Sequence, residues 1–472
     1  MTQRDSQQAD STALPRRWQA LALLAVAQFM LILDITVVTV AMPDLGADLD
    51  MGREALTWVM SAYTLSFGGF LLLAGRAADM VGPRLLMFSG LGLFTLASLL
   101  IPLASSGGMV IAGRVAQGIG AAMLSPAALS VVVRLFEGEE RNKALAIWSS
   151  LGGVGAAVGV LLGGLLTAGP GWEWVFLVNV PVGAVLLIGL ARLLPPMPPW
   201  SAGGRLDVVG AVLVTAATLL VTYAFIGAGA HGWSSARTLG LLAAGLATYA
   251  GFIAWLLLSR RRGRAPLVDP ALLSRRPVVA GTFVLFVTTG LMVAVFFLGT
   301  FYFQEVRGHG PMATGLLFLP VALATMAGAQ IGGRLLASVG PRTLGVLGLL
   351  TAAAGLAVFA LSLTTEASVI AVSFGSAGLG AMFVVAAATA LGQVSPEEAG
   401  IASGVLSTSH ELGSSLGAAV VSGVVATSLI AGDVNGFERG YLVAAAVAVA
   451  AAVMAGILIP GKPRDELDPA FG

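Results

Sequence analysis

Four ionisable side chains lie inside runs that are otherwise apolar: Asp34, Arg114 and the neighbours His410 and Glu411. An ionisable group in hydrocarbon is costly, and by default it marks ion, proton or substrate chemistry. Asp34 falls eight residues before the predicted end of its run at Met42. Arg114 sits close to the start of its own run, so at 1.5 Å per residue both lie on the order of 9–12 Å below one surface and could meet. An Asp beside a guanidinium stays ionised, whereas one buried without a partner takes up a proton readily. Alternation between those situations would couple protonation to helix movement. Gln117, three residues after Arg114, shares its helix face and could hold the guanidinium or a water. Asp34 is therefore the expected proton carrier and Arg114 the group that modulates its affinity. A permanent structural ion pair is the alternative, since a buried pair alone argues for nothing further.

His410 and Glu411 lie roughly 15 Å from the inner end of their run, near its middle. They read as a second protonation site or a contact for a cationic substrate. Equally, Glu411 could hydrogen-bond to Ser407, Thr408 or Ser414 and serve helix packing. Phe29 and Tyr63, with Met30, Phe286, Met292 and Phe296, could line an adaptable apolar pocket, although methionine suits ordinary packing as well. Other chemistries find no support. A hydrolase needs a nucleophile with a base, or a metal held by clustered ligands. The chain has three histidines, and His231 and His309 fall in predicted outer loops. It has no cysteine and no phosphate-binding G-x-x-x-x-G-K-[ST] loop. We expect no enzyme activity, no metal, no cofactor and no nucleic-acid partner.

The elements that must position these groups are apolar helices. Of 472 residues, 57% are hydrophobic and 10% charged, against roughly a quarter charged in a soluble domain. About 20 apolar residues cross a bilayer. Such runs are expected at 18–42, 56–75, 84–103, 108–133, 143–168, 174–193, 207–229, 238–258, 277–303, 313–337, 343–363, 367–391, 401–428 and 439–460, which makes fourteen spans of an all-α membrane protein. The run from Trp18 to Met42 is too long for a signal-peptide core and reads as a retained span. With the amino terminus inside, four of the twenty-five Lys and Arg residues fall on outer loops, Arg53, Arg237, Arg307 and Arg439. Nearly all the others fall inside, as basic residues near span ends do. Both termini are then cytoplasmic and the protein resides in the cytoplasmic membrane, as an expected monomer.

The stretch GRAADMVGPR, Gly75 to Arg84, returns as GRLLASVGPR, Gly333 to Arg342, 258 residues later. The same offset pairs Glu139 and Glu140 with Glu397 and Glu398, Gly155 with Gly413, and Gly159 with Gly417. Matching elements an even number of spans apart describe two similarly oriented halves related by an axis along the membrane normal. The expected organisation is a tail at 1–17, a six-helix bundle at 18–193, a linker with two further helices at 194–276, a second six-helix bundle at 277–460, and a tail at 461–472. At this offset Asp34 corresponds to Met292, Arg114 to Val372 and Asp79 to Ala337. The scaffold is duplicated and the charges are not.

These residues resemble the major facilitator superfamily, and within it the fourteen-helix drug:proton antiporters. Gly75, Asp79, Gly82 and Arg84 stand at the defining positions of the family's loop signature, with Met80 and Pro83 where a basic residue is common. RVAQGIGAA from Arg114 is similar to the fourth-helix motif, LDITVVTVAMP from Leu33 to the first-helix motif, and WEWVFLVNVPVG from Trp172 to a branch-specific string. The fifth-helix antiporter motif has its glycines, Gly155, Gly159, Gly163 and Gly164, but Val160 where proline is expected. The resemblance implies that Asp79 latches the cytoplasmic loop when the central space faces outward. It also implies proton-coupled export of amphipathic small molecules by alternating access. Because Val160 removes a helix-bending proline, proton-linked uptake of a small nutrient stands as the second reading.

Overall fold

The computed structural model describes residues 16–136, 138–198, 207–263, 266–361, 364–392, 394, 399–429 and 434–461. Their regular structure is helical. The first six long helices are α1 (Arg17–Asp48), α2 (Arg53–Val81), α3 (Pro83–Leu100), α4 (Gly107–Leu135), α5 (Gly138–Ala168) and α6 (Asn179–Leu193). Next come α7 (Val208–His231) and α8 (Ala236–Arg261). The last six are α9 (Arg276–Phe301), α10 (Pro311–Val339), α11 (Pro341–Ala360), α12 (Thr365–Leu391), α13 (Ala399–Leu429) and α14 (Val434–Leu458). In lipid such helices satisfy every backbone group internally. Among the described residues, twelve are long and apolar enough to cross a membrane. The sequence led us to expect fourteen spans. The two helices outside the count are α5 and α13, several of whose side chains are not described; Glu397, Glu398 and the Glu139 side chain likewise lie outside the description.

Helix ends differ from expectation where a polar residue finds a partner. Rather than stopping near Met42, α1 continues through Pro43 to Asp48, whose carboxylate accepts a hydrogen bond from Trp172 Nε1 at 3.0 Å. Likewise, α9 runs into a π-helical turn, Tyr302–Val306.

The repeated decapeptides form two hairpins of one design. Gly82 and Gly340 adopt φ of 98° and 84°, a left-handed region that glycine enters without a side-chain penalty. Their amides close the preceding helices on Ala78 and Leu336, each at 3.0 Å. Pro83 and Pro341 then open the next helices at the position where a missing N–H costs nothing. The rim of the bundle that carries both is called the hairpin rim below, and the opposite one the far rim.

Helix crossings repeat at the same 258-residue offset. Gly90 of α3 faces Gly120 of α4, and Gly348 of α11 faces Gly378 of α12. A β-carbon on Gly90 would lie 2.6 Å from the Gly120 carbonyl oxygen. In the first half α5 lies on α1, with Gly155 against Ile32 and Gly163 against Val37. In the second, α13 lies on α9, with Gly413 against Phe286 and Gly417 against Gly290. Small residues let backbones approach this closely, which is how apolar helices associate when lipid offers no hydrophobic drive.

The halves meet along two seams. One joins α2 to α13. There the Thr57 hydroxyl donates to Ser422 at 2.6 Å, Ser61 and Ser415 each donate to the other's carbonyl, Gly68 sits against the Glu411 β-carbon, and Leu72 against Gly404. The other joins α5 to α10, with Gly164 against Pro311 and Met312, and Gly315 against the Val160 carbonyl. At the far rim Arg53 pairs with Glu305 at 2.7 Å, and Gln304 Nε2 donates to the Val40 carbonyl at 3.0 Å.

Helix α7 covers the first seam from outside. Its Thr215 fills the space over Gly69 of α2, its Phe225 carbonyl lies over Gly423 of α13, and its Tyr223 ring lies 6.0 Å from Trp58. Pairing of α8 with α7 is fixed by Thr218 and Tyr249 hydroxyls 2.6 Å apart. Asp207 ties the pair down by accepting from the Gly210 amide, Trp255 Nε1 and the Leu267 amide, at 2.8–2.9 Å.

Candidate functional site: a buried charge network

Five helices of the first half bring polar atoms to one point. Asp34 of α1 is fully buried, as are Arg114 and Gln117 of α4. One Arg114 Nη1 donates both to Asp34 Oδ2 and to Gln117 Oε1, the latter at 2.7 Å. Arg114 Nε donates to the Val59 carbonyl of α2 at 3.0 Å. The other carboxylate oxygen, Asp34 Oδ1, accepts from Asn179 Nδ2 of α6 at 3.1 Å and from Gln117 Nε2 at 3.3 Å. Gln117 Nε2 also reaches the Ser98 hydroxyl of α3 at 2.8 Å. Beneath the guanidinium lies the Tyr63 ring, its centroid 4.2 Å from Cζ.

This arrangement compensates charge at every contact. Burying an isolated ion costs several kcal/mol, and an opposing charge offsets that only when the remaining donors and acceptors are also satisfied. Here the carboxylate takes three donors from two helices, and a π face complements the cation. Spacing explains the register on α4, since residues three apart share a face, which puts Arg114 and Gln117 side by side.

Asp34, Arg114 and Gln117 are thus brought together. Sequence reasoning had assigned no role to Asn179 or Ser98. Asn179 was visible as a polar residue within the WEWVFLVNVPVG string, yet a neutral amide carries no alarm in a span that begins five residues earlier with a short turn, Trp174–Leu177. Tyr63, grouped from sequence with the substrate candidates, lies against Arg114. Phe29 lies beneath Gly155 in the α1–α5 crossing.

His410 and Glu411 occupy a separate place, on the α2–α13 seam. Gly68, which backs Glu411, follows Tyr63 by five residues on α2, about 7.5 Å along the axis. His410 Nδ1 is 3.8 Å from Glu411 Oε1, and its ring meets Phe383 edge-on at 5.9 Å. The His410 side chain is 38% exposed and that of Glu411 8%. Of the partners expected for Glu411, Ser414 donates instead to the His410 carbonyl at 3.0 Å, and among the described residues Glu411 Oε2 and the Thr408 hydroxyl have no hydrogen-bond partner. The fifth-helix glycines Gly155, Gly159 and Gly163 serve the α1 contact, and Gly164 the α10 contact. A β-carbon on Gly75 would lie 3.8 Å from Pro126 of α4, and Arg84 stacks over Phe88 at 5.0 Å. The Asp79 side chain lies outside the described residues. Among those, no group of three His, Asp or Glu residues could hold a metal.

Known proteins share this chain's pattern. It is 38% identical over 415 residues to the puromycin resistance protein pur8 of Streptomyces alboniger, covering 85% of this chain and 80% of that protein. To the cephamycin export protein CmcT of Amycolatopsis lactamdurans it is 37% identical, covering 84% and 83%. Among solved structures, a bacterial homolog of the human lysosomal transporter Spinster, in an inward-facing and occupied conformation, superposes with a TM-score of 0.65 at 16% identity, over 94% of this chain and 97% of that one. That likeness speaks to fold alone. The sequence profile of the Major Facilitator Superfamily matches residues 24–418, and the chain belongs to that family, one of transporters rather than enzymes.

Proposed function

We propose that this protein exports amphipathic small molecules across the cytoplasmic membrane in exchange for protons, by alternating access, with Asp34 as the proton carrier. The observation that carries the reading is the buried Asp34 carboxylate, held jointly by Arg114, Asn179 and Gln117. All three partners sit on α4 and α6, so any shift of α1 against them exchanges a paired carboxylate for an unpaired one, and an unpaired buried acid takes a proton. The proton supplies the drive: one charge moved through 100 mV releases about 2.3 kcal/mol, which sustains a gradient of roughly fortyfold. The direction of transport rests on relatives whose names are those of antibiotic resistance and export proteins. Uptake, the reading left open by Val160, is not supported by either of these two relatives.

The same proposal takes the chain as a monomer with fourteen spans, two six-helix bundles and α7–α8 inserted between them. Both termini and the hairpin rim face the cytoplasm. Asp79 then latches that rim, and His410 with Glu411 forms a second site for protons or a cationic substrate beside the central seam. The test is reconstitution into liposomes with an imposed pH gradient and a panel of dyes and antibiotics. Substrates collapse the gradient with the parental protein and leave it intact with Asp34→Asn. Parental exchange by Asp34→Asn ends the carrier role.

A further inference from the structure

At the hairpin rim, outside both polar sites, a cavity of about 340 Å³ opens between α3 and α6, lined by Arg84, Leu85, Phe88, Ala191, Pro196 and Met197. It has a charged end. Among the described residues Arg84 Nε is buried there without a hydrogen-bond partner, although the guanidinium stacks on Phe88. A buried guanidinium N–H with no acceptor costs as much as any unsatisfied charged donor, and such a group asks for an anion. The α3 backbone adds to the demand. Gly82 caps the helix without a side chain and Pro83 has no N–H, so the next amides, of Arg84 and Leu85, face outward at the positive end of the helix.

Two further arginines neighbour the lining residues, Arg192 next to Ala191 in sequence and Arg134 through the segment after α6. Arg192 lies exposed in the last turn of α6, and Arg134 of α4 donates to the Pro198 carbonyl at 2.7 Å, which holds the segment after α6 across the cavity mouth. The rest of the wall is apolar and continues into the membrane-facing surfaces of both helices: Leu85 and Leu96 on α3, Val185 and Ile188 on α6, all more than half exposed. Deeper in, Gly183 against Thr95 closes the two helices together. The space is therefore a wedge, cationic at the rim and greasy below.

We propose that this wedge binds the headgroup of an anionic phospholipid, its phosphate on Arg84 and the free α3 amides and its acyl chains along Leu85, Phe88 and Val185. A soluble phosphate would use the cation and leave the apolar walls without purpose. A basic pocket between helices at a membrane surface is suited to a charged headgroup. The inference needs a chain that spans a bilayer and is indifferent to the direction of transport, so it stands or falls apart from the export reading.

The test uses the full-length protein in detergent micelles, with native mass spectrometry of retained phosphatidylglycerol or phosphatidylcholine, and with inorganic phosphate as competitor. The parental protein is expected to retain phosphatidylglycerol over phosphatidylcholine. Arg84→Gln is expected to lower that retention about fivefold, the worth of one basic group near a headgroup. Ala191→Trp, at an exposed position where folding tolerates bulk, fills the wedge and lowers retention with Arg84 still present. Equal retention of both lipids, or parental retention by both variants, overturns the proposal. So does displacement of the lipid by millimolar inorganic phosphate, which would make the wedge a site for a soluble anion.

Discussion

Asn179 reaches across from α6 to the Oδ1 atom of Asp34 at 3.1 Å, while Arg114 takes the opposite oxygen. The amide therefore completes the carboxylate's shell on the side the cation leaves bare. Hydrogen bonds to charged groups contribute about 1.5–3 kcal/mol each. Asn179→Ala should lower thermal stability in detergent by that order and slow exchange in the liposome assay. Asn179→Ser, which keeps a donor on a shorter arm, should fall between. Parental behaviour of Asn179→Ala would show the amide to be a bystander.

Removing the cation should do more than removing the acid. Asp34→Asn leaves Arg114 its bonds to Val59 and Gln117 and its stacking on Tyr63. Arg114→Ala leaves the Asp34 charge buried beside two neutral amides. Breaking a buried pair from one side costs about 3–5 kcal/mol, and Arg114→Ala should show the larger share of that in melting temperature. The comparison is made on purified variants side by side, and the reverse order would mean that the cation is the more poorly solvated member.

Gly163 and Gly164 are neighbours with different duties. A β-carbon on Gly163 would lie 2.9 Å from the Val37 carbonyl oxygen, inside the first half. On Gly164 it would lie 2.8 Å from the Pro311 carbonyl oxygen, across the halves. Overpacking costs about 1–3 kcal/mol. Gly163→Ala should therefore reduce stability. Gly164→Ala should instead favour a form parted at the far rim. Because the chain has no cysteine, a single cysteine placed beside Met312 gives a labelling readout without background. Faster labelling is expected in Gly164→Ala and not in Gly163→Ala.

The Arg53–Glu305 pair bridges the halves at the far rim. Exposed pairs contribute about 0.2–1 kcal/mol, enough to move two states of similar energy by up to about fivefold. Arg53→Glu should raise labelling at that rim, and the double exchange Arg53→Glu with Glu305→Arg should bring it back. A double exchange that labels like the single variant would remove the pair from the opening equilibrium.

Contrast in polarity decided what could be read before any coordinates. A carboxylate or guanidinium in an apolar run announces itself, which is why Asp34, Arg114 and Glu411 stood out, and two glycine-bracketed decapeptides at one offset exposed the duplicated hairpins. Asn179 and Ser98 stayed hidden because neutral polar groups occur in spans for packing alone. The Arg53–Glu305 contact joins residues 252 positions apart and leaves no local pattern. Neither did the crossings at Gly90–Gly120 and Gly348–Gly378, since glycine is so abundant here, at 62 residues, that its pairing shows only once the helices are in place. The end of α1 at Asp48 has no local signal, because the partner that reaches it, Trp172, comes from a distant loop.

Helix α7 lies over the seam where α2 meets α13, in touch with both. A greasy molecule diffusing in the leaflet meets a double wall on that flank, one helix pair behind another helix. The bundle has thereby lost one of its two lateral doors. The other seam, of α5 with α10, has its own close approach, with Gly164 against Pro311 and Gly315 against the Val160 carbonyl.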